Sequence, residues 1–219
     1  MFNDFKAIKA SDKYMNETIN SKDYLKSLTE EEREALKSYT STDYKDMNRI
    51  LAGRFGTSKD SNNMVDEWYQ SMTKTTKTLE KVIENAPGLK DNIITYRGFS
   101  DNNIVRWFGK DVKMGMTAIK KKGESETVLN IIKKNVIGTV ADNPAFMSTS
   151  INSQKAMTFG DHILTLRVPK STKGIYVESI TSIKKEYEFI IQPNAKILFE
   201  SVEWDKGLGK WHFKGVIGE

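Results

Sequence analysis

Along the first third of the chain, apolar positions return every three or four residues. In SKDYLKSLTEEEREALKSYT, Leu28, Leu36 and Tyr39 fall at helical spacing, and Thr29 followed by Glu32 has the form of a capping box. A second helix is predicted from Asp43 to Ala52. After the turn-rich GRFGTSKDSNN, an amphipathic run from Met64 to Asn85 carries Val65, Trp68, Met72, Leu79 and Val82, then stops at Ala86-Pro87-Gly88. From about Asn92 the pattern changes. β-Branched and aromatic residues cluster in short runs bounded by Gly, Pro, Asn and Lys: IITYRGF, AFMSTSI, HILTLRVP, GIYVESI, EYEFIIQ, KILFESVEW and WHFKGVI. These read as strands. Polar or helical stretches interrupt them around Asn103 to Lys110 and Glu124 to Val136, with KKKGESE between as a solvated turn. Helices first and strands later predict an α+β fold with antiparallel or mixed sheets rather than alternating βαβ units.

A length of 219 residues favours one domain, divided as a helical layer over 1–88 and a mainly β core over 89–219. With 38% hydrophobic and 29% charged residues but only 4 Pro and 14 Gly, the composition excludes collagen-like, disordered and membrane classes. The absence of Cys excludes disulfides, zinc–thiolate sites and thiol nucleophiles, and 2 His are poor material for a metal cage, so no metal is expected. Lys plus Arg at 34 against Asp plus Glu at 29 gives +5, which favours anionic partners without requiring nucleic acid. The N-terminal MFNDFKAIKASDKYMNETIN lacks the apolar run of a secretory signal, and no stretch approaches the length of a membrane span. A soluble chain is expected. Neither G-x-G-x-x-G nor G-x-x-x-x-G-K-[ST] occurs, so a phosphate ligand must be held by side chains.

Three strand-like segments place polar residues where a core strand prefers apolar ones. In Thr95-Tyr96-Arg97-Gly98-Phe99, Arg97 fits an edge-strand side chain reaching solvent and equally a fixed guanidinium forked onto phosphate or carboxylate. In Phe146-Met147-Ser148-Thr149-Ser150, period-two geometry sends Ser148 and Ser150 to one face and Thr149 to the other. Small hydroxyls also serve as edge fillers. In Lys184-Lys185-Glu186-Tyr187-Glu188, the same alternation puts Glu186 and Glu188 on one face with Tyr187 pointing away. That arrangement is either a solvated stripe or a carboxylate pair whose mutual repulsion raises a pKa.

The three together, in order, resemble the R…S-T-S…E-x-E signature of the mono-ADP-ribosyltransferase family, in its bacterial exotoxin branch of binary actin-modifying toxins and Rho-modifying exoenzymes. LTEEEREALKSYTSTDYKDMN resembles the family's helical lead-in, and ILTLRVPKSTKGIYVESI resembles the strand pair before its catalytic loop. The resemblance implies helices packed on a β-sandwich core of two steeply crossed sheets, with NAD in the cleft. It implies cleavage of the nicotinamide–ribose bond of NAD and transfer of ADP-ribose to a protein side chain. Glu188 matches the glutamate that engages the ribose, and Ser148 the serine that aligns it. Arg97 matches the arginine on the NAD phosphates, and Gly98 lets the backbone approach the nicotinamide amide. Phe159 matches the aromatic on the nicotinamide ring, while Tyr39 and Asn48 match helix-borne residues lining the cleft. Glu186, where relatives modifying Asn carry Gln, implies an arginine acceptor, with actin the first expectation for the target protein.

Two positions depart from the pattern. Phe159-Gly160-Asp161-His162 places His162 where the branch often has a phosphate-contacting Arg. Met47-Asn48-Arg49-Ile50-Leu51-Ala52 lacks the usual terminal Arg of the lead-in helix, leaving Arg49 or Arg54 to supply it. The expected protein is a monomeric catalytic unit acting in the cytosol of a target or host cell, either as a secreted toxin fragment or as a phage-encoded intracellular enzyme. An NAD glycohydrolase, with water as acceptor, and a non-catalytic protein-binding module of the same fold are the alternatives.

Overall fold

Thr29 opens the first well-capped helix. The computed structural model describes residues 12–19, 22–54, 63–181 and 183–218. A short helix, Lys22–Ser27 (α1), precedes Glu30–Ser38 (α2), and the predicted capping box joins them. Thr29 Oγ1 accepts from the Glu32 N–H at 3.3 Å, and Glu32 Oε2 accepts from the Thr29 N–H at 2.8 Å. The chain then passes through a π-helical turn, Tyr39–Asp43, into Tyr44–Leu51 (α3). That wide turn buries Tyr39 against Phe146, with ring centroids 5.2 Å apart. The predicted amphipathic run forms Asn63–Asn85 (α4), whereas most of the predicted turn before it, 55–62, lies outside the described residues.

Every predicted strand segment contains a strand. They are Ile93–Phe99 (β1), Met147–Ser150 (β3), His162–Val168 (β4), Gly174–Tyr176 (β5), Glu188–Ile191 (β6), Ala195–Asp205 (β7) and Lys210–Gly218 (β8). Val140–Asn143 (β2), short and half polar, carries no sequence signal and is added by its pairing with β7. Between β1 and β2 lie Asp101–Phe108 (α5), Lys110–Lys122 (α6) and Glu126–Val136 (α7). The stretch KKKGESE is therefore not all turn. Lys120, Lys121 and Lys122 close α6, where cations offset the helix dipole. Helix α6 escapes prediction partly because Gly115 interrupts its pattern. A Cβ there would lie 3.3 Å from Val128 and Ile132 side-chain carbons, so the glycine lets α6 and α7 approach.

The hydrogen-bonded strand order is β2-β7-β8-β4-β1-β3-β6-β5, with β4 and β8 parallel and the other pairs antiparallel. The two expected sheets are continuous at one place. Strands β1 and β3 share the single registered pair Tyr96↔Ser150, which joins a five-stranded part to a three-stranded part. Each part has its own helical cover. Leu36, Met47, Leu79 and Ile83 of α2, α3 and α4 pack on Ile175 and Ile190 of β5 and β6. Ile104, Met116, Ile119 and Ile132 of α5, α6 and α7 share the other core with Phe199, Trp211 and Phe213. Apolar burial of this kind supplies the main stabilisation, and the join between the two cores carries the polar strand residues. No described helix is long and apolar enough to cross a membrane.

Thr29→Ala removes the acceptor for the Glu32 N–H and should lower stability by about 1 kcal/mol. In urea unfolding followed by circular dichroism, the midpoint should fall with an unchanged slope.

Candidate functional site

Strand β1 delivers Arg97 to the join, where Nη1 donates to the Ser148 carbonyl at 2.6 Å. Burial works against the guanidinium's charge, while Tyr39 and Glu188 favour it. The three residues of the S-T-S run have three different tasks. Ser148 hydrogen-bonds the Glu188 carboxylate. Thr149 Oγ1 donates to the Phe189 carbonyl at 2.8 Å, and Ser150 Oγ donates to the Glu186 carbonyl at 2.7 Å. Register sets this up, since β3 pairs with β6 through Ser148↔Ile190 and Ser150↔Glu188.

Glu188 is 7% exposed. Burial pushes its carboxyl up to about 7, Glu186 and Glu178 push the same way, and Ser148 and Arg97 oppose them. Glu186 also faces the cleft, but not through strand alternation. It lies outside β6, between Lys185 at φ 67° and Tyr187 at φ 51°, two non-glycine residues in the left-handed region. Its Oε1 is 3.6 Å from Lys155 Nζ, and that ammonium also sits 4.8 Å from the Phe159 ring centroid.

These groups line one cleft of about 310 Å³, with Tyr39, Arg97, Gly98, Ser148, Phe159, Glu186 and Glu188 all on its wall. Tyr39 is buried, and burial raises its pKa well above the ordinary phenolic value. Gly98 has a steric task in the fold. A Cβ there would fall 2.2 Å from the Ala156 carbonyl oxygen, blocking the seating of Ser153–Ala156 (α8) and the following 3-10 turn, Met157–Phe159, on β1. Asn152 caps α8 by accepting from the Gln154 and Lys155 N–H groups at 2.9 and 3.3 Å. Lys210 Nζ closes the other end, donating to the Met157 carbonyl at 2.7 Å and to the Gly160 carbonyl. Phe159, 52% exposed, is thereby set at the rim.

Two sequence expectations change. Asn48 lies behind Tyr39 rather than on the cleft wall. It hydrogen-bonds the Tyr39 hydroxyl, and its Oδ1 meets no donor among the described residues. His162 is neither a surface residue nor a cleft residue. It is buried against Phe99 and Phe213, its Nε2 lies 2.8 Å from Asp101 Oδ1, and burial lowers its pKa despite that carboxylate. Its position at the head of β4 turns it into the aromatic core, so it cannot replace a phosphate-contacting Arg. Sequence reading missed Tyr44, Ile183 and Lys155 near the cleft, and Glu178 beneath the Glu186 loop. Among them only Glu178 had a usable signal, an acid at the end of an otherwise apolar strand segment. Among the described residues, no group of three or more His, Cys, Asp or Glu is placed to hold a metal.

A sequence model of the family described as ADP-ribosyltransferase exoenzyme matches residues 13–212. A curated Enterococcus faecalis protein, NAD(+)–arginine ADP-ribosyltransferase EFV, is 28% identical over 198 residues, covering 84% of this chain. The chain spans 31% of that relative's length. C3stau2 of S. aureus, whose crystal structure contains NAD, superposes with a TM-score of 0.78 at 16% identity and covers 99% of that chain and 100% of this one. Plx2a of Paenibacillus larvae superposes at 0.77 and 19% identity with both chains fully covered. BECa, from a binary enterotoxin of C. perfringens and crystallised with NADH, gives 0.77 at 19% identity over 50% of its chain and 100% of this one. At these identities the likeness establishes a shared fold.

The raised pKa of Glu188 has a fixed sign in stability. Its contribution is fully present below the ordinary value of 4.5 and is lost as pH rises through about 7. Above that, keeping the carboxylate buried costs roughly 3 kcal/mol at most. Glu188→Gln should therefore melt several degrees above the parent at pH 8, with the gap closing toward pH 4.5. A gap that does not change with pH would show that the carboxyl is not held in this environment.

Proposed function

The chain belongs to the ADP-ribosyltransferase exoenzyme family, and on that footing we propose that it transfers ADP-ribose from NAD to an arginine side chain of a protein. The observation that supports this most is the convergence of Arg97, Ser148, Glu186 and Glu188 on one cleft, with Glu188 buried and hydrogen-bonded by Ser148. The name of the Enterococcus faecalis relative points to the same acceptor. Actin is the first target protein to assay, and the proposed setting is the cytosol of a target or host cell.

The chemistry of the cleft suits NAD, and its volume of about 310 Å³ is room for part of the dinucleotide. A permanent cation, Arg97, can face the pyrophosphate in place of a glycine-rich loop. Phe159 offers an apolar ring at the rim.

Bound NAD supplies a glycosidic bond whose cleavage develops positive charge on the ribose. In this reading Glu188 places its anionic form beside that sugar, where it stabilises the transition state more than the ground state. Ser148 fixes the carboxylate's direction. Nicotinamide leaves with the electron pair of the broken C–N bond, and the acceptor arginine nitrogen forms the new bond to the same carbon. The proton lost from that nitrogen passes to Glu186. A free guanidinium, protonated up to a pKa above roughly 12, needs such a carboxylate to orient it and take its proton.

One contact favours a second reading, hydrolysis of NAD. The Lys155 ammonium beside Glu186 and over Phe159 holds the position of a cationic acceptor. Where it is not displaced, water takes the acceptor's place.

Labelled NAD, cell lysate and purified actin separate these readings. Glu188→Gln should lose protein labelling and nicotinamide release together, by about 100-fold or more. Glu186→Gln should lose labelling and keep most nicotinamide release. In the parent, kcat/KM for NAD cleavage should rise with pH through about 7 as Glu188 ionises. Nicotinamide release without labelled protein selects the hydrolase, and equal labelling by all three proteins overturns the assignment.

A further inference from the structure

Glu178 lies outside the cleft wall, at the turn that follows β5, eight residues before the glutamate assigned to the acceptor. Its carboxylate is fully engaged on one short piece of backbone. Oε1 accepts from the Lys185 N–H at 2.6 Å, and Oε2 accepts from the Tyr187 N–H at 2.8 Å. Those two residues flank Glu186, and both sit at positive φ, 67° and 51°. Left-handed backbone is unfavourable for a lysine and a tyrosine, so something must hold it. Charge-assisted hydrogen bonds from a carboxylate are strong enough to do so.

The opposite edge of the same segment is held by β3. Ser150 Oγ donates to the Glu186 carbonyl at 2.7 Å, and the Ile151 N–H donates to the Tyr187 carbonyl at 3.0 Å. The turn itself is closed by Lys184 Nζ, which donates to the Glu178 carbonyl at 2.8 Å. The backbone on both sides of Glu186 is thus fixed from two directions, leaving its side chain for the cleft. Glu188 is held differently. It lies in β6 and registers with Ser150, and its carbonyl accepts from the Val177 N–H at 3.0 Å. None of those bonds involves the Glu178 carboxylate.

We propose that Glu178 is a positioning residue for the acceptor half of the reaction: it sets the backbone that presents Glu186 while leaving the NAD-cleaving Glu188 to the sheet. This rests on the transferase reading above. It makes a prediction that a general structural role does not make. Loss of the Glu178 carboxylate should alter the partition between transfer and hydrolysis, not only the amount of active protein.

Glu178→Gln keeps the shape but sets an amide N–H₂ against one of the two backbone donors. Glu178→Ala removes both acceptors. With labelled NAD and cell lysate above pH 8, where Glu188 is ionised with or without Glu178, both variants should lose labelling by 10- to 100-fold while nicotinamide release in water changes less than 3-fold. In a Glu186→Gln background, Glu178→Ala should cause no further loss of labelling, because the two act through one group. Hydrogen exchange supplies a readout that needs no activity. The amides of Lys185 and Tyr187 should exchange at least tenfold faster in Glu178→Ala, with Phe189 to Ile191 unchanged.

Equal proportional losses of labelling and nicotinamide release, or unchanged exchange at Lys185 and Tyr187, would overturn the assignment of Glu178. A parent protein that cleaves no NAD would instead sink the transferase reading and the catalytic half of this proposal with it. The exchange arm would still decide whether Glu178 holds the turn.

Discussion

A carboxylate and a guanidinium held in one cleft at the junction of two sheet halves are the constraint on which the rest of the molecule depends. Burial raises the Glu188 pKa and lowers that of Arg97, and each opposes the shift of the other. Strands hold the groups that satisfy each of them. Arg97 is committed to the Ser148 carbonyl and Glu188 to the Ser148 side chain. One residue of β3 thus serves both charges, Arg97 through its backbone and Glu188 through the hydroxyl that an apolar strand residue would lack.

The two helical covers make this junction possible. A single sheet covered by one helical layer would bury the join or leave it wholly exposed. Here one core runs across both parts of the sheet, from Phe199 and Trp211 to Met147, Phe189 and Ile191, and a second lies between Ile175 and Ile190 of β5 and β6 and the helices α2, α3 and α4. The cleft lies where β1 and β3 share their one registered pair, with Tyr96 and Ser150 on its wall. Its remaining walls come from elements that must pack closely on the strands. The π-helical turn brings Tyr39 down onto Phe146, and Gly98 lets α8 sit on β1 with no Cβ against the Ala156 carbonyl.

Much of this was legible in the sequence, for identifiable reasons. The capping box at Thr29 and Glu32 is local chemistry and is present as read. Strands with β-branched and aromatic runs were visible because their composition differs from that of the helices. What was not legible depends on tertiary partners. Strand β2 exists by pairing with β7, and α6 hides behind Gly115, whose reason is the approach of α7. At the site, the order of the residues along the chain identifies them but does not fix their geometry. Glu186 faces the cleft through left-handed backbone that no alternation rule predicts. His162 carries the polarity of a surface or ligand residue, yet β4 directs it into an aromatic cluster where Asp101 is its polar partner.

The contrast between the two glutamates follows from what each is asked to meet. In the proposed reaction Glu188 meets a group that is the same in every turnover, and it is fixed by a strand ladder and nearly excluded from water. In the proposed reaction Glu186 meets a macromolecular acceptor that arrives from outside, and it is carried on a turn held by the Glu178 and Ser150 side chains and by the Ile151 N–H. Rigid placement suits the first role, because a buried carboxylate displaced from its partners would neutralise rather than act. A turn suits the second, since it can reach the rim and exchange its Lys155 partner for an incoming cation. On that reading the same short segment divides the site into a part for the nucleotide and a part for the protein.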